Sequence, residues 1–421
     1  MENFSSNKAY LYQREGSEDP ERLLETYKER YKEYRRSWHT QPQDAITALQ
    51  NQDNSWNPPE LIPLCVDIEI AAICDLACPF CYRQHIVTPD KVIDPALYHS
   101  IIDQCSELGV PSIKLNWRGE PLLHPKISEF VSYAKKKGIL DVIINTNATT
   151  LTSEKSRSLI DSGLDQMIYS FDGASASSYE KLRIGRFEHN SFEKVYENIR
   201  CFKEIRTSMN AFFPRTRIQM ILTEETFHEQ KKFIELFKDC VDDVSVKAYT
   251  ERGGNISDLE AEIQQDLLPT LKTKNLPLDS PYWRDMSGRI AVATGRKPCA
   301  QPFQRMMITY DGRVSMCCYD WGSEHPIGFV SEKGFLSSRN DLEKTNRSIR
   351  GGKRGFGEFM ASARLPEPNN HPNESVSSLA EIWQGHELER VRKMHCEGKI
   401  DSVPLCKGCQ FKETYTWLEL R

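Results

Sequence analysis

Cys74, Cys78 and Cys81 stand in the run Cys74-Asp75-Leu76-Ala77-Cys78-Pro79-Phe80-Cys81, three thiols spaced C-x3-C-x2-C within one short loop. Three thiolates saturate three irons of a four-iron, four-sulfur cluster and leave the fourth iron without a protein ligand. An electron-transfer ferredoxin closes its irons with four cysteines instead. A corner left open is built to bind a further molecule, which points to an enzyme. The competing reading is zinc, which takes four protein ligands in structural sites, with His85 as the fourth. A second set of thiols lies toward the carboxyl end. Cys299 and Cys317 are eighteen positions apart, and Cys406-Lys407-Gly408-Cys409 forms a C-x2-C pair. Four such thiols are candidate metal ligands. Zinc competes here as well, because C-x2-C pairs are usual zinc ligands. Cys318 adjoins Cys317, and the spacing from Gly312 in a hairpin favours Cys317 as the ligand.

The elements that must position these thiols follow from apolar periodicity. Strand-like runs at Pro63–Ile70, Ser112–Trp117, Asp141–Thr146, Asp165–Phe171, Arg217–Leu222 and Asp243–Tyr249 alternate with helical patterns. One helix opens at Asp94-Pro95 and stops at Gly109, and another runs from about Pro125 to Lys135-Lys136-Lys137-Gly138. Repeated strand–helix units imply a parallel α/β sheet with right-handed crossovers. Six units cannot close the usual eight-stranded barrel, so a partial (β/α)6 barrel is expected. The polar segments sit just after the strands. The cysteine loop follows the first, Arg118-Gly119-Glu120-Pro121 the second, Asn145-Thr146-Asn147 ends the third, and Ser170 and Asp172 end the fourth. Chemistry in barrels gathers at the carboxyl ends of strands, so four segments converge on one mouth.

Around that barrel, residues 1–59 read as a helical extension. Asp19-Pro20 opens a helix carrying Leu23, Tyr27, Tyr31, Tyr34 and Trp38 as an aromatic stripe, expected to lie on the main domain. The barrel spans 60–250, and 251–298 read as a helical connection. Residues 299–421 form a smaller auxiliary domain, with short strands at Met306–Thr309 and Val314–Cys317 about a Tyr310-Asp311-Gly312 turn. A surface loop covers about 333–373, and a helix runs from Leu379 to Met394.

The bulk numbers agree with a catalytic domain plus a smaller one. The chain has 421 residues, 39% of them apolar and 27% charged, as in ordinary soluble proteins. A net charge of −5 gives no electrostatic reason to expect nucleic acid or an acidic membrane as partner. The first thirty residues lack a secretory pattern, and no apolar run approaches the roughly 20 residues of a membrane span. A cytoplasmic protein is expected, whose thirteen cysteines include seven in motif-like positions that read as metal ligands or catalytic groups rather than disulfides. Cys105 and Cys201 read as small hydrophobes on helical apolar faces.

The loop with Phe80 inside it, at the end of a first barrel strand, resembles the signature of the radical S-adenosylmethionine (radical SAM) superfamily, C-x3-C-x-aromatic-C. The resemblance is clear over residues 63 to about 185. It implies a SAM-binding 4Fe-4S cluster on Cys74, Cys78 and Cys81, whose open iron is chelated by the cosubstrate's methionine part, and a 5′-deoxyadenosyl radical made by one-electron cleavage. Arg118-Gly119-Glu120-Pro121 resembles the family's Gly-Glu-Pro motif, which implies that Glu120 accepts from the cosubstrate ammonium; Arg118 replaces the first glycine. Ser170 and Asp172 resemble residues facing the ribose, Arg183 a basic position near the carboxylate, and Asn145 and Asn147 are weaker matches that an Asx turn explains nearly as well. Cys299, Cys317, Cys406 and Cys409 resemble the SPASM or shorter twitch auxiliary-cluster domain, which implies a second 4Fe-4S cluster.

The resemblance implies hydrogen-atom abstraction from a small polar substrate, as in the dehydrogenation or epimerisation of sugars and aminocyclitols. It also implies an external one-electron donor such as flavodoxin or ferredoxin. Epimerisation would need a thiol facing the cavity, and Cys240 or Cys318 is the expected donor. A maturase acting on a ribosomally made peptide is the runner-up, although residues 1–58 do not read as a peptide-binding domain. A non-catalytic metal scaffold would leave Glu120, Ser170 and Asp172 without a task.

Overall fold

The computed structural model describes residues 18–51, 61–81, 90–248, 289–323, 325–337, 376–407 and 411–420, with positions 83, 269, 271–275, 282–284 and 409 between them. Strands β1 (Cys65–Ile68), β2 (Ser112–Lys114), β3 (Asp141–Thr146), β4 (Gln166–Ser170), β5 (Arg215–Leu222) and β6 (Asp243–Ala248) pair in that order, all parallel. Helices α2 (Pro95–Glu107), α3 (Ile127–Lys136), α4 (Ser153–Asp161), α5 (Ala176–Leu182), α6 (Phe192–Ser208) and α7 (Gln230–Phe237) make the crossovers. The local signals work as chemistry requires. Asp94 caps α2 by accepting from Ala96 and Leu97 N–H, and Gly109 and Gly138 take φ of +70° and +87° beyond α2 and α3.

Side chains alternate along each strand. Val66, Ile68, Ile113, Ile144, Met167 and Met220 turn outward into the core beneath the helices, each burial contributing roughly 1.5–3 kcal/mol. Their neighbours in register, among them Asp67, Lys114, Asn145, Ser170, Arg217 and Gln219, turn into the barrel. The interior is therefore polar.

Helix α1 (Glu18–Gln50) seals its floor. Tyr31 and Tyr34 are buried against Leu64 and Leu140, which precede β1 and β3, with Trp38 beside them. The Tyr34 hydroxyl is 2.9 Å from Ser112 Oγ, and Gln166 Nε2 donates to the Tyr31 hydroxyl at 3.2 Å. The aromatic stripe thus docks on the barrel as expected, while the side chains of Leu23 and Tyr27 lie outside the described residues.

The carboxyl-terminal part departs from the expected division. Strand β9 (Arg305–Ile308) pairs parallel with β1, and β10 (Arg313–Ser315) and β11 (Pro326–Phe329) continue antiparallel, making one nine-stranded sheet. Residue 299 is therefore not a break in the sheet. Within 251–298, expected to be helical, β7 (Tyr282–Arg284) and β8 (Ile290–Arg296) join β12 (Tyr415–Leu420) in a three-stranded antiparallel sheet. Isoleucine, valine and threonine in Ile290–Thr294 favour the extended chain. The helix expected over Leu379–Met394 is two, α8 (Leu379–Trp383) and α9 (His386–Cys396), separated at Gly385. A Cβ there would meet Glu381 O at 2.8 Å. Residues 338–375, most of the expected surface loop, lie outside the described residues. Among the described residues no helix is long and apolar enough to cross a membrane.

Candidate functional site

The cysteine loop hangs from two neighbouring segments. Leu76 bridges to Gly185, Ala77 N–H donates to Ile184 O at 2.8 Å, and Arg186 N–H donates to Asp75 O at 2.8 Å. The Asp75 carboxylate accepts from Asn147 Nδ2 at 2.8 Å and from the Thr149 hydroxyl, tying the loop to the end of β3. Asn147 Nδ2 also lies 4.0 Å from Cys74 Sγ, and Arg183 Nη1 lies 3.9 Å from Cys78 Sγ with its guanidinium 5.4 Å from the Phe80 ring centre. Burial pushes the Cys78 thiol up to about 12 even against the Arg183 charge, and burial and then Glu120 raise Cys74. Thiols in this state exchange protons for metal, so loading the loop releases protons.

Gly119 and Glu120 press against the same loop. A Cβ on Gly119 would lie 2.1 Å from Ala71 O and 2.5 Å from Ile73 O, so only glycine lets this turn approach. Glu120 N–H donates to Ile73 O at 2.8 Å. Glu120 Oε1 accepts from Thr146 Oγ1 at 2.7 Å and Leu122 N–H at 3.0 Å, and Oε2 accepts from Asn147 N–H at 2.7 Å. Each carboxylate oxygen has two lone pairs, so Oε2 keeps one acceptor position. Burial raises the Glu120 carboxyl to about 7 against those three bonds, a state that an incoming cation would reverse.

Asp172 differs from its expected part. Its Oδ1 accepts from Ile221 N–H at 2.7 Å and its Oδ2 from Arg183 at 2.6 and 2.7 Å, so the carboxylate holds Arg183 beside Cys78. Ser170 faces the barrel in register with Gln219, and Asn145 faces the same space with its N–H on Asn116 Oδ1 at 3.0 Å. Asn147 serves twice: its Oδ1 accepts from Thr149 N–H in an Asx turn while Nδ2 grips Asp75.

The second set of thiols converges. Cys299, Cys317, Cys406 and Cys409 line one small cavity, together with His395 and Phe411. Backbone N–H groups two residues on reach three of the sulfurs at 3.4 Å each, from Gln301 to Cys299, Tyr319 to Cys317 and Phe411 to Cys409. The fourth sulfur, Cys406 Sγ, lies 3.2 Å from His395 Nε2. Amide N–H groups aimed at sulfur stabilise thiolates, which is the ligating form. Cys318 does not line the cavity, but lies close enough to Cys317, Cys299, Lys114 and Arg305 to influence their ionisation. It therefore lies near both the four-cysteine cavity and Lys114 of β2.

Comparison with known proteins agrees with this geometry. Residues 68–237 match the radical SAM superfamily model, and residues 299–347 match the SPASM iron–sulfur cluster-binding domain model. The chain thus carries a radical SAM domain and, toward its carboxyl end, a SPASM iron–sulfur domain. It is 26% identical over 287 residues to a probable GTP 3',8-cyclase of Methanothermobacter marburgensis, covering 64% of this chain and 87% of that protein. It is 29% identical over 161 residues to the PqqA peptide cyclase of Bradyrhizobium diazoefficiens, covering 38% and 42%. Among solved structures, SuiB of Streptococcus suis bound to precursor peptide SuiA aligns with a TM-score of 0.49 at 14% identity, covering 96% of this chain and 80% of that one. BtrN in complex with AdoMet and 2-DOIA aligns at 0.43 and 17%, covering 85% and 99%.

A radical SAM enzyme with a SPASM domain carries a SAM-binding and an auxiliary 4Fe-4S cluster, and the donors here suit both. Among the described residues no group of three or more His, Cys, Asp or Glu side chains is placed to hold a single metal ion. His85, the alternative zinc ligand, lies outside the described residues.

Two thiols are placed otherwise than expected. Cys240 precedes β6 at the floor end of the barrel, with Sγ 3.9 Å from the Tyr196 hydroxyl of α6, so it does not face the mouth. Cys201 lies on the charged side of α6, its thiol 3.2 Å from Glu197, rather than on an apolar face. Sequence reading also passed over Asp75, Thr146 and Glu69. Their signal is a polar residue at a strand end, and that signal does not say which partner it meets.

Proposed function

We propose that this radical SAM enzyme abstracts a hydrogen atom from a carbon of a small polar substrate, a sugar or aminocyclitol, and that the outcome is dehydrogenation. The observation carrying this reading is the polar barrel interior. Asn145 Oδ1 and Gln219 Oε1 are buried there without hydrogen-bond partners among the described residues. Buried acceptors left unpaired are costly, and the hydroxyl and amino donors of a polyol or aminocyclitol would satisfy them.

The other residues take roles consistent with this reading. Cys74, Cys78 and Cys81 would hold the SAM-binding cluster, and Cys299, Cys317, Cys406 and Cys409 the auxiliary one. When bound, the first cluster and its sulfonium cosubstrate supply a hydrogen-abstracting radical in exchange for one electron from an external donor such as flavodoxin or ferredoxin. The free acceptor position on Glu120 would take the cosubstrate ammonium. Arg183, held by Asp172, would face its carboxylate, and Ser170 its ribose. Phe80 and Gly119 would shape the floor beneath it.

Epimerisation is a second reading, favoured by the Cys318 thiol near both Lys114 of β2 and Cys317. A peptide substrate is a third, resting on the peptide cyclase relative. One experiment separates them. Anaerobically reconstituted, reduced enzyme is given S-adenosylmethionine with a panel of aminocyclitols, sugars and short peptides in D2O. Dehydrogenation yields 5′-deoxyadenosine and a product lighter by two hydrogens. Epimerisation gives an isomer with one solvent deuterium, and a modified peptide marks the third reading. No substrate-dependent 5′-deoxyadenosine from the sugars and aminocyclitols refutes the proposal.

A further inference from the structure

His395 on α9 is 1% exposed at the edge of the four-cysteine cavity, with both ring nitrogens engaged. Cys299 N–H donates to Nδ1 at 3.2 Å, and Nε2 stands 3.2 Å from Cys406 Sγ. A nitrogen that accepts carries no proton, so the proton of the neutral ring is on Nε2 and points at the sulfur. We infer that His395 is a positioning residue for the auxiliary cluster, donating one hydrogen bond to the Cys406 thiolate and thereby raising the cluster's reduction potential. This rests on the reading that Cys299, Cys317, Cys406 and Cys409 hold that cluster.

The physical cause is charge. A reduced cluster carries one more electron, and a hydrogen bond to a ligating sulfur stabilises that extra negative charge more than it stabilises the oxidised state. The amides of Gln301, Tyr319 and Phe411 do the same at the other three sulfurs. The bond to Cys406 comes from a side chain, which ties two ligand segments together through one ring, Cys299 on one nitrogen and Cys406 on the other. Arg296 acts in the same sense. Its guanidinium donates to Cys406 O at 3.2 and 3.3 Å, bringing a positive charge to the same ligand. Both groups make the auxiliary cluster a better electron acceptor, as dehydrogenation requires.

Two substitutions separate the two contacts of the ring. His395→Asn places an amide oxygen where Nδ1 accepts from Cys299 and leaves no donor for Cys406. His395→Gln carries an N–H donor out to the Nε2 position. The measurement is a potentiometric titration of reconstituted full-length enzyme followed by EPR, with S-adenosylmethionine added to move the amino-terminal cluster's signal away from the auxiliary one. In H395N, at the wild-type midpoint, the ratio of reduced to oxidised auxiliary cluster should fall about tenfold, ~59 mV for a one-electron couple. H395Q should keep most of the wild-type ratio. An unchanged ratio in H395N with about eight irons per chain overturns the inference.

If H395N fails to retain the cluster, the wild-type enzyme decides. ENDOR on reduced protein labelled with 15N-histidine should show a weakly coupled histidine nitrogen and an exchangeable proton at the auxiliary cluster. Absence of both, or the strong coupling of a directly ligated nitrogen, overturns the inference. About four irons per wild-type chain would instead remove the auxiliary cluster itself, a different failure.

Discussion

Arg118→Met is expected to destabilise the protein by about 3–5 kcal/mol. In the native protein the Arg118 guanidinium makes two 2.6 Å contacts with Glu69, and their side chains are only 4% and 0% exposed. Arg118 also donates to Trp321 O at 3.1 Å, and Glu69 accepts from Tyr310 N–H at 3.4 Å. The pair thus joins the loops after β1 and β2 to the turn of the β9–β10 hairpin and the segment after it. Methionine fills much of the arginine stem but leaves the Glu69 carboxylate buried with only the weak Tyr310 contact. A surface ion pair would be worth no more than about 1 kcal/mol. Burial is what makes the larger figure follow. The assay is urea unfolding of the reconstituted enzyme followed by tryptophan fluorescence, which reports on the Trp117–Trp321 stack at 5.9 Å. The double variant Arg118→Met/Glu69→Leu removes both charges, so it should recover part of the loss. A loss under about 1 kcal/mol for the single variant, or additive single and double effects, refutes the reasoning.

Three further outcomes follow from the site. Gly119→Ala drives a Cβ into Ala71 O and Ile73 O, so iron analysis should show loss of the amino-terminal cluster, about four irons per chain instead of about eight. Glu120 has a folded pKa of about 7 against an ordinary 4.5. The native state therefore binds the extra proton between those values, and the cluster-free protein loses stability as pH rises through that window, by about 3 kcal/mol in all. Glu120→Gln should remove that part of the slope in urea midpoints taken from pH 5 to 8, and parallel profiles would count against it. Cys318→Ala should abolish solvent deuterium incorporation if the reaction is an epimerisation, whereas Cys240→Ala should leave product formation unchanged in either case, as read by mass spectrometry.

Much of the barrel was legible because its strands read as apolar runs bounded by polar turns. Asp141–Thr146 falls as expected, and the other five of the first six strands differ from the expected bounds by a few residues at most. The thiol spacings were legible for a local reason, since C-x3-C-x2-C needs no knowledge of the fold. The β9–β1 pairing was not, because a strand of Arg305–Ile308 carries no mark of a partner so distant in the chain. Strands β8 and β12 were missed for the same cause: each gains its pairing from the other end of the auxiliary region. His395 was missed because a lone histidine in an amphipathic helix gives no sign of the sulfur beside it. A carboxylate at a strand end points toward a ligand, whereas the geometry of Asp172 turns it to Arg183.

The attachment of β9 to β1 also bears on how the chain matures. Glu69 and Tyr310 meet across 241 positions, so while the ribosome is still making the middle of the chain, the first strand has one bare flank. Exposed strand flanks recruit other chains, and partly made proteins are vulnerable in that interval. Residues 305–308 therefore act as a late-arriving cover for the earliest strand. A nascent chain cut before them should clump when translated without chaperones, even though every residue of the thiol loop has already been made.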